Sequence, residues 1–70
     1  MDYSALLTND QKRNILEQRI AQFASEAYQH SINKVVAGDN AEAVTAADEA
    51  LAILDNAIKI HQDELAKLGE

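Results

Sequence analysis

Apolar side chains in the second half of the chain recur at alternating steps of three and four residues. Seven of the eight positions in this series are apolar, and a histidine is the exception: Val44, Ala47, Leu51, Leu54, Ile58, His61, Leu65 and Leu68. This pattern is typical of a helix that packs one side along a second helix. A further row, Ala46, Ile53 and Ile60, repeats every seven residues about a third of a turn away. The helix therefore has two apolar sides and needs two neighbours.

The first half of the chain predicts another long helix, over about residues 9–37. Thr8 and Gln11 have the spacing of a capping box, in which each side chain bonds the backbone N–H of the other residue. The apolar face of this helix follows the same helical spacing and is widened to one side by Tyr28, Ile32 and Val36.

A turn at residues 38–40 separates the two helices. Gly38 can adopt the left-handed conformation that commonly ends a helix. Asp39 is predicted to cap the second helix, with Glu42 completing a second capping box, and this helix is expected over about residues 40–68. Because the connection is so short, the helices must be antiparallel neighbours.

Residues that face each other across such a hairpin have numbers that sum to about 78, from a turn centred near Asp39. This rule pairs Val35 with Val44 and places Glu17 opposite His61. The predicted core of the hairpin comprises ten residues: Leu16, Ile20, Phe23, Ala27, Ala47, Leu51, Leu54, Ile58, His61 and Leu65.

Residues 1–8 precede the hairpin, which is expected to occupy residues 9–70, and are predicted to form an N-terminal arm. Tyr3, Leu6 and Leu7 give this arm three sizeable apolar groups. They can fold as a flap over the open end of the helices, or insert into a partner as a docking arm. Chain termini with nothing to pack against tend to be disordered, so the apolar groups of the arm favour packing on the hairpin or on a partner.

Apolar side chains remain uncovered after the hairpin has formed. The predicted oligomer or partner interface consists of Tyr28, Ile32, Val36, Ile53 and Ile60. Left in water, these residues would form a patch large enough to mark an interface. We therefore predict an all-α fold, an antiparallel helical hairpin of two long helices that associates into a four-helix bundle or a higher helical oligomer. Docking on a different, larger protein and a lone monomer are the alternatives.

Charge and composition narrow the possible partners. The net charge is −6, and residues 36–70 carry eight acids against two lysines. An acidic surface repels phosphate, so neither nucleic acid nor an anionic membrane is an expected partner. The chain has no cysteine, no apolar run near the ~20 residues of a membrane span, and no basic start typical of a signal peptide. We expect no secretion through a signal peptide.

Candidate chemistry is sparse. His61 is predicted to be a polar pin that fixes helix register through a facing carboxylate, and a pH switch is the alternative. Glu26 with His30, and His61 with Glu64, lack the order and spacing of the glutamate–histidine motif of di-iron bundles. No glycine-rich phosphate loop or nucleophile beside a base is evident. We therefore expect no enzyme activity, no metal and no cofactor.

An acidic strip is predicted along the outer side of the second helix: Asp48, Glu49, Asp55 and Asp63. A solvated surface is the ordinary role of such a strip. It can also repel wrong partners or attract a basic one.

The chain resembles the short two-helix proteins of tailed phages of actinobacteria. The likeness rests on Met-Asp-Tyr-Ser-Ala-Leu-Leu-Thr at 1–8, Leu-Glu-Gln-Arg-Ile at 16–20, Ala-Ala-Asp-Glu-Ala at 46–50 and Ile-Lys-Ile-His-Gln-Asp-Glu-Leu at 58–65. It implies a setting, the host cytoplasm or the virion, and not an activity. With the uncovered apolar side chains, this setting favours a non-catalytic assembly protein, a minor capsid or other virion component. Its partners would be further copies of itself and a larger phage structural protein.

A second likeness is to the helical hairpin of phage proteins that sequester the cyclic nucleotide signals of bacterial immunity. Asp48-Glu49-Ala50, followed by Asn56-Ala57, resembles the second helix of those hairpins. The tryptophan expected between these elements is absent, and basic residues to hold phosphates are few. This likeness implies a cyclic-nucleotide sponge. The alternative function is therefore an anti-defence binder, either such a sponge or an inhibitor of a host protein.

Overall fold

The computed structural model describes residues 2–69, which form two long α-helices after a short 3₁₀ helix. The 3₁₀ helix covers Tyr3–Leu6, α1 covers Asn9–Ala37 and α2 covers Ala41–Leu68. No strand occurs among these residues. Met1 of the predicted arm and Glu70 of the predicted hairpin lie outside the described residues.

The start of α1 is fixed by the predicted capping box. The Thr8 hydroxyl accepts a hydrogen bond from the Gln11 backbone N–H at 3.1 Å, and the Gln11 side chain accepts one from the Thr8 N–H at 2.9 Å. Together these bonds satisfy two backbone donors that a helix N-terminus otherwise leaves without partners. The capping box is therefore confirmed.

The turn between the helices depends on Gly38 and Asn40. Gly38 has a φ of +59°, a conformation that L-residues with a side chain rarely adopt, and its N–H donates to the Val35 carbonyl. The side chain of Asn40 accepts a hydrogen bond from the Ala43 N–H at 3.2 Å and caps α2. The prediction that Asp39 caps α2 is wrong by one residue, because Asn40 has the extended backbone of a cap and makes the capping hydrogen bond. The third residue of the helix is then Ala43, so the predicted capping box with Glu42 is wrong too.

The helices pack against each other as an antiparallel hairpin. Near the turn, Lys34 Nζ lies 2.7 Å from an Asp48 carboxylate oxygen. At the open end, Lys12 near the start of α1 and Leu68 at the end of α2 line the same groove. The predicted fold, two long helices packed as a hairpin, is confirmed by these contacts. Association into a bundle remains a prediction.

Candidate functional site

The core of the hairpin is thin. Ala47 and Leu54, 6% and 9% exposed, are the buried residues among those described. The other eight residues of the predicted core lie half-buried along the line of contact between the helices, which we call the seam: Leu16, Ile20, Phe23, Ala27, Leu51, Ile58, His61 and Leu65. The seam thus lies where the sequence pattern places it, but two helices alone leave most of it partly in contact with water.

Large apolar side chains lie exposed on both helices. On α2, Ile53 is 71% exposed and Ile60 is 51% exposed. With Ala46, which is also exposed, they form a line with seven-residue spacing that we call the α2 row. The predicted interface residues of α2 are therefore in solvent, available to a partner.

The predicted interface residues of α1 are exposed as well. Tyr28 is 68% exposed, and Ile32 and Val36 are also in solvent. Val35 was expected to face Val44 across the hairpin but is 77% exposed. Its position seven residues after Tyr28, on the same side of the helix, is the signal that sequence reasoning missed. We call Ala21, Tyr28, Ile32 and Val35 the α1 row.

The exposed surface is larger than a compact protein of this mass presents. The chain exposes 5299 Å² at a mass of 7.7 kDa. A typical folded monomer of that mass exposes about 4300 Å². Its Cα radius of gyration is 15.7 Å, whereas a compact domain of the same length has about 11 Å. The excess of roughly 1000 Å² is of the size that one partner contributes to a standard protein–protein interface, about 800 Å².

Only one side of the N-terminal arm lies against the open end of the hairpin. Ser4 and Leu7 line an open groove of about 230 Å³ together with residues of both helices: Lys12, Ile15, Leu16, Glu64 and Leu68. Tyr3 and Leu6 are mostly exposed, at 72% and 66%. The arm therefore places Leu7 beside the helices and leaves two large apolar groups free to contact a partner.

His61 takes part in a polar contact between the two helices, as Lys34 and Asp48 do nearer the turn. Its Nε2 accepts a hydrogen bond from Arg19 Nε at 3.0 Å, and its Nδ1 lies 2.6 Å from the Ala57 carbonyl oxygen. A guanidinium has donors only, so Nε2 must be the acceptor and Nδ1 must carry the proton.

The aromatic ring of Phe23 completes this cluster. The Phe23 and His61 rings meet edge to face, with centroids 5.0 Å apart, and Arg19 Cζ lies 5.5 Å from the Phe23 centroid. The expectation that His61 pairs with Glu17 is wrong, because both ring nitrogens are taken by Arg19 and by its own helix. Sequence reasoning missed Arg19, which lies two residues along from the predicted partner.

Replacing His61 with leucine is expected to leave the free energy of unfolding unchanged or to raise it slightly. Leucine keeps apolar contact with Phe23, and Arg19 is exposed and can turn to water. Apolar replacements of partly buried polar groups are often neutral or stabilising. Urea denaturation at equal chain concentration measures the effect. A loss of more than about 1 kcal/mol, as in the loss of a typical hydrogen bond, would show that the imidazole contact holds the helices together.

The acidic strip of α2 is exposed, as the sequence indicates, but Asp48 also contacts the other helix. It forms an ion pair with Lys34, with side chains 52% and 46% exposed. Ion pairs this exposed contribute about 0–1 kcal/mol. Within residues 2–69, no group of three or more histidine, cysteine, aspartate or glutamate side chains is arranged to hold a metal ion. Glu64, a weak candidate ligand from the sequence, lies 3.0 Å from Lys67.

No protein-family model, no curated protein and no solved structure matches the chain. The observation that stands out is the pair of exposed apolar rows on a hairpin with a thin core. Across residues 2–69, no helix combines the length and apolar content needed to cross a membrane.

Proposed function

We propose that this chain is a non-catalytic assembly module that associates with further copies of itself through its exposed apolar rows. The observation that carries the proposal is the surface excess of roughly 1000 Å² over a compact monomer. Exposed apolar patches of several hundred Å² on a soluble domain mark interaction sites. The rows contain Tyr28, Ile53 and Ile60, each more than half exposed.

Energetics support the same proposal. A chain of about 70 residues obtains at most 3–5 kcal/mol from one core and usually needs a disulfide, a metal or association to be stable. The chain has no cysteine. Among the described residues only Ala47 and Leu54 are buried, so the hairpin alone has a small core. Covering the rows adds the second packed layer that a stable domain requires.

The setting we propose is a phage particle, in which repeated copies act as an accessory structural protein. This part of the proposal rests on the sequence likeness at residues 1–8, 16–20, 46–50 and 58–65. In such a particle the acidic strip of α2 would face outward and the exposed Tyr3 and Leu6 of the arm would contact a larger structural protein. Detection of the chain in purified virions, at many copies per particle, would support this setting. Its absence from virions would contradict it.

Self-association predicts that stability depends on chain concentration. Each tenfold rise in concentration is expected to raise the midpoint of thermal unfolding by about 3–6 °C, because folding and association are then one equilibrium. Light scattering on the same samples gives the mass, which should exceed the 7.7 kDa of one chain. A stable 7.7 kDa species whose midpoint ignores concentration would contradict the proposal. A midpoint of that monomer that rises on adding cyclic nucleotides would favour a nucleotide sponge instead.

A further inference from the structure

The groove at the open end defines one face of the hairpin, which we call the groove face. Ile15 of α1 and Glu64 of α2 both line this groove, so both lie on that face. The hydrogen bond from Arg19 to His61 joins the helices further along, and these residues are about one to two turns away from the groove residues of their own helices. Arg19 follows Ile15 by four residues, or about 40° around the helix, and therefore lies on the groove face too.

The α2 row lies on the groove face. Ile60 is four residues and Ile53 eleven residues before Glu64. At about 100° per residue, these spacings place both isoleucines within about 40° of Glu64 around the helix axis. Ile53 and Ile60 therefore project on the same face as Arg19 and Ile15.

The α1 row lies on the opposite face. Tyr28 follows Arg19 by nine residues, which is two and a half turns, or about 180° around the axis. Ile32 follows Tyr28 by one turn, and Val35 follows it by two. Because Arg19 projects on the groove face, Tyr28 projects away from it. The geometry of the hairpin thus places the α1 row and the α2 row on opposite faces.

A single two-fold interface cannot cover both rows. In a two-fold dimer the same patch of each copy meets its equivalent. A face-to-face contact therefore buries the row on one face and leaves the row on the other face exposed to water. We infer that the chain uses the α1 row and the α2 row in two separate interfaces, and that the assembled form contains at least three copies. This inference rests on the proposed self-association and specifies its geometry.

Further copies of this chain are the occupants that fit the rows. Both rows repeat every seven residues, as in Ala21, Tyr28 and Val35 of α1 and in Ala46, Ile53 and Ile60 of α2, and such a row suits another helix with the same repeat. Each of these lines spans 14 residue steps, or about 21 Å, so the rows match each other in period and length. The excess surface of roughly 1000 Å² is enough for one standard interface, which takes about 800 Å² from each partner, and the second interface is inferred from the position of the rows on opposite faces.

Cross-linking through introduced cysteines tests this inference. The chain has no cysteine of its own, so only the introduced thiols react with a short bis-maleimide. The variants are Tyr28→Cys, Ile53→Cys and the combination of both, and Ala52→Cys, at an exposed site off both rows, gives the background. We expect each single variant to give at most two linked chains, and the combined variant to give products of three or more.

Light scattering on the unmodified chain provides the second measurement, since a variant that folds poorly would not cross-link. We expect a mass of at least three times 7.7 kDa. A mass of two chains, or a combined variant that stops at two linked chains, would overturn the inference and leave the proposed self-association standing. A mass of one chain would overturn both.

Discussion

Replacing Leu54 with alanine is expected to lower the free energy of unfolding by about 3 kcal/mol, within the 2–5 kcal/mol typical of buried leucines. Leu54 is 9% exposed and lies at the middle of the α2 seam. A chain of this length has only about 3–5 kcal/mol of stability from one core. The variant should therefore be largely unfolded at concentrations at which the unmodified chain is helical.

Leu6→Ala is the matched control, because it deletes the same atoms from a side chain that is 66% exposed. Its effect on the free energy of unfolding should stay within about 0.5 kcal/mol, as is usual for surface positions. Circular dichroism during urea denaturation, at one fixed chain concentration, measures both variants. Equal losses for Leu54→Ala and Leu6→Ala would show that the seam does not carry the stability of the hairpin.

The sequence pattern predicts the helices well because their determinants are local. The capping box depends only on Thr8 and Gln11, which are three residues apart, and the turn depends on a glycine that can adopt a positive φ at position 38. The α2 cap differs by one residue, since Asp39 and Asn40 both have suitable side chains. Which of them caps depends on the backbone path out of Gly38, and composition does not encode that path.

The errors in long-range pairing share one cause. The rule of summed numbers gives the level of a residue along the hairpin axis, but not the side of the helix on which it projects. Glu17 is at the level of His61, yet Arg19, about 200° further around α1, is the residue that projects toward the imidazole. Val35 is likewise at the level of Val44 but turned into solvent. The same rotation separates the two apolar rows, which the linear pattern does not show.

Replacing Ile53 and Ile60 together with glutamate is expected to reduce the assembled mass by at least half. Both side chains are more than half exposed in the single chain, so the change costs little within the hairpin. In an assembly that covers the α2 row, two carboxylates would lose water without a paired cation, which costs several kcal/mol each even after the structure relaxes. Even a net loss of about 2.7 kcal/mol weakens association about 100-fold. Light scattering measures the mass.

A control with Ala52→Glu and Ala66→Glu adds the same two charges to exposed sites of α2, away from the α2 row. Because general repulsion between acidic chains acts equally on both double variants, only contact at the row makes them differ. A control that also loses mass would attribute the effect to net charge, and an unchanged mass for the isoleucine variant would rule out the α2 row as an interface. A remaining dimer of the isoleucine variant would instead identify the α1 row as a second, independent contact, since that row is untouched by either change.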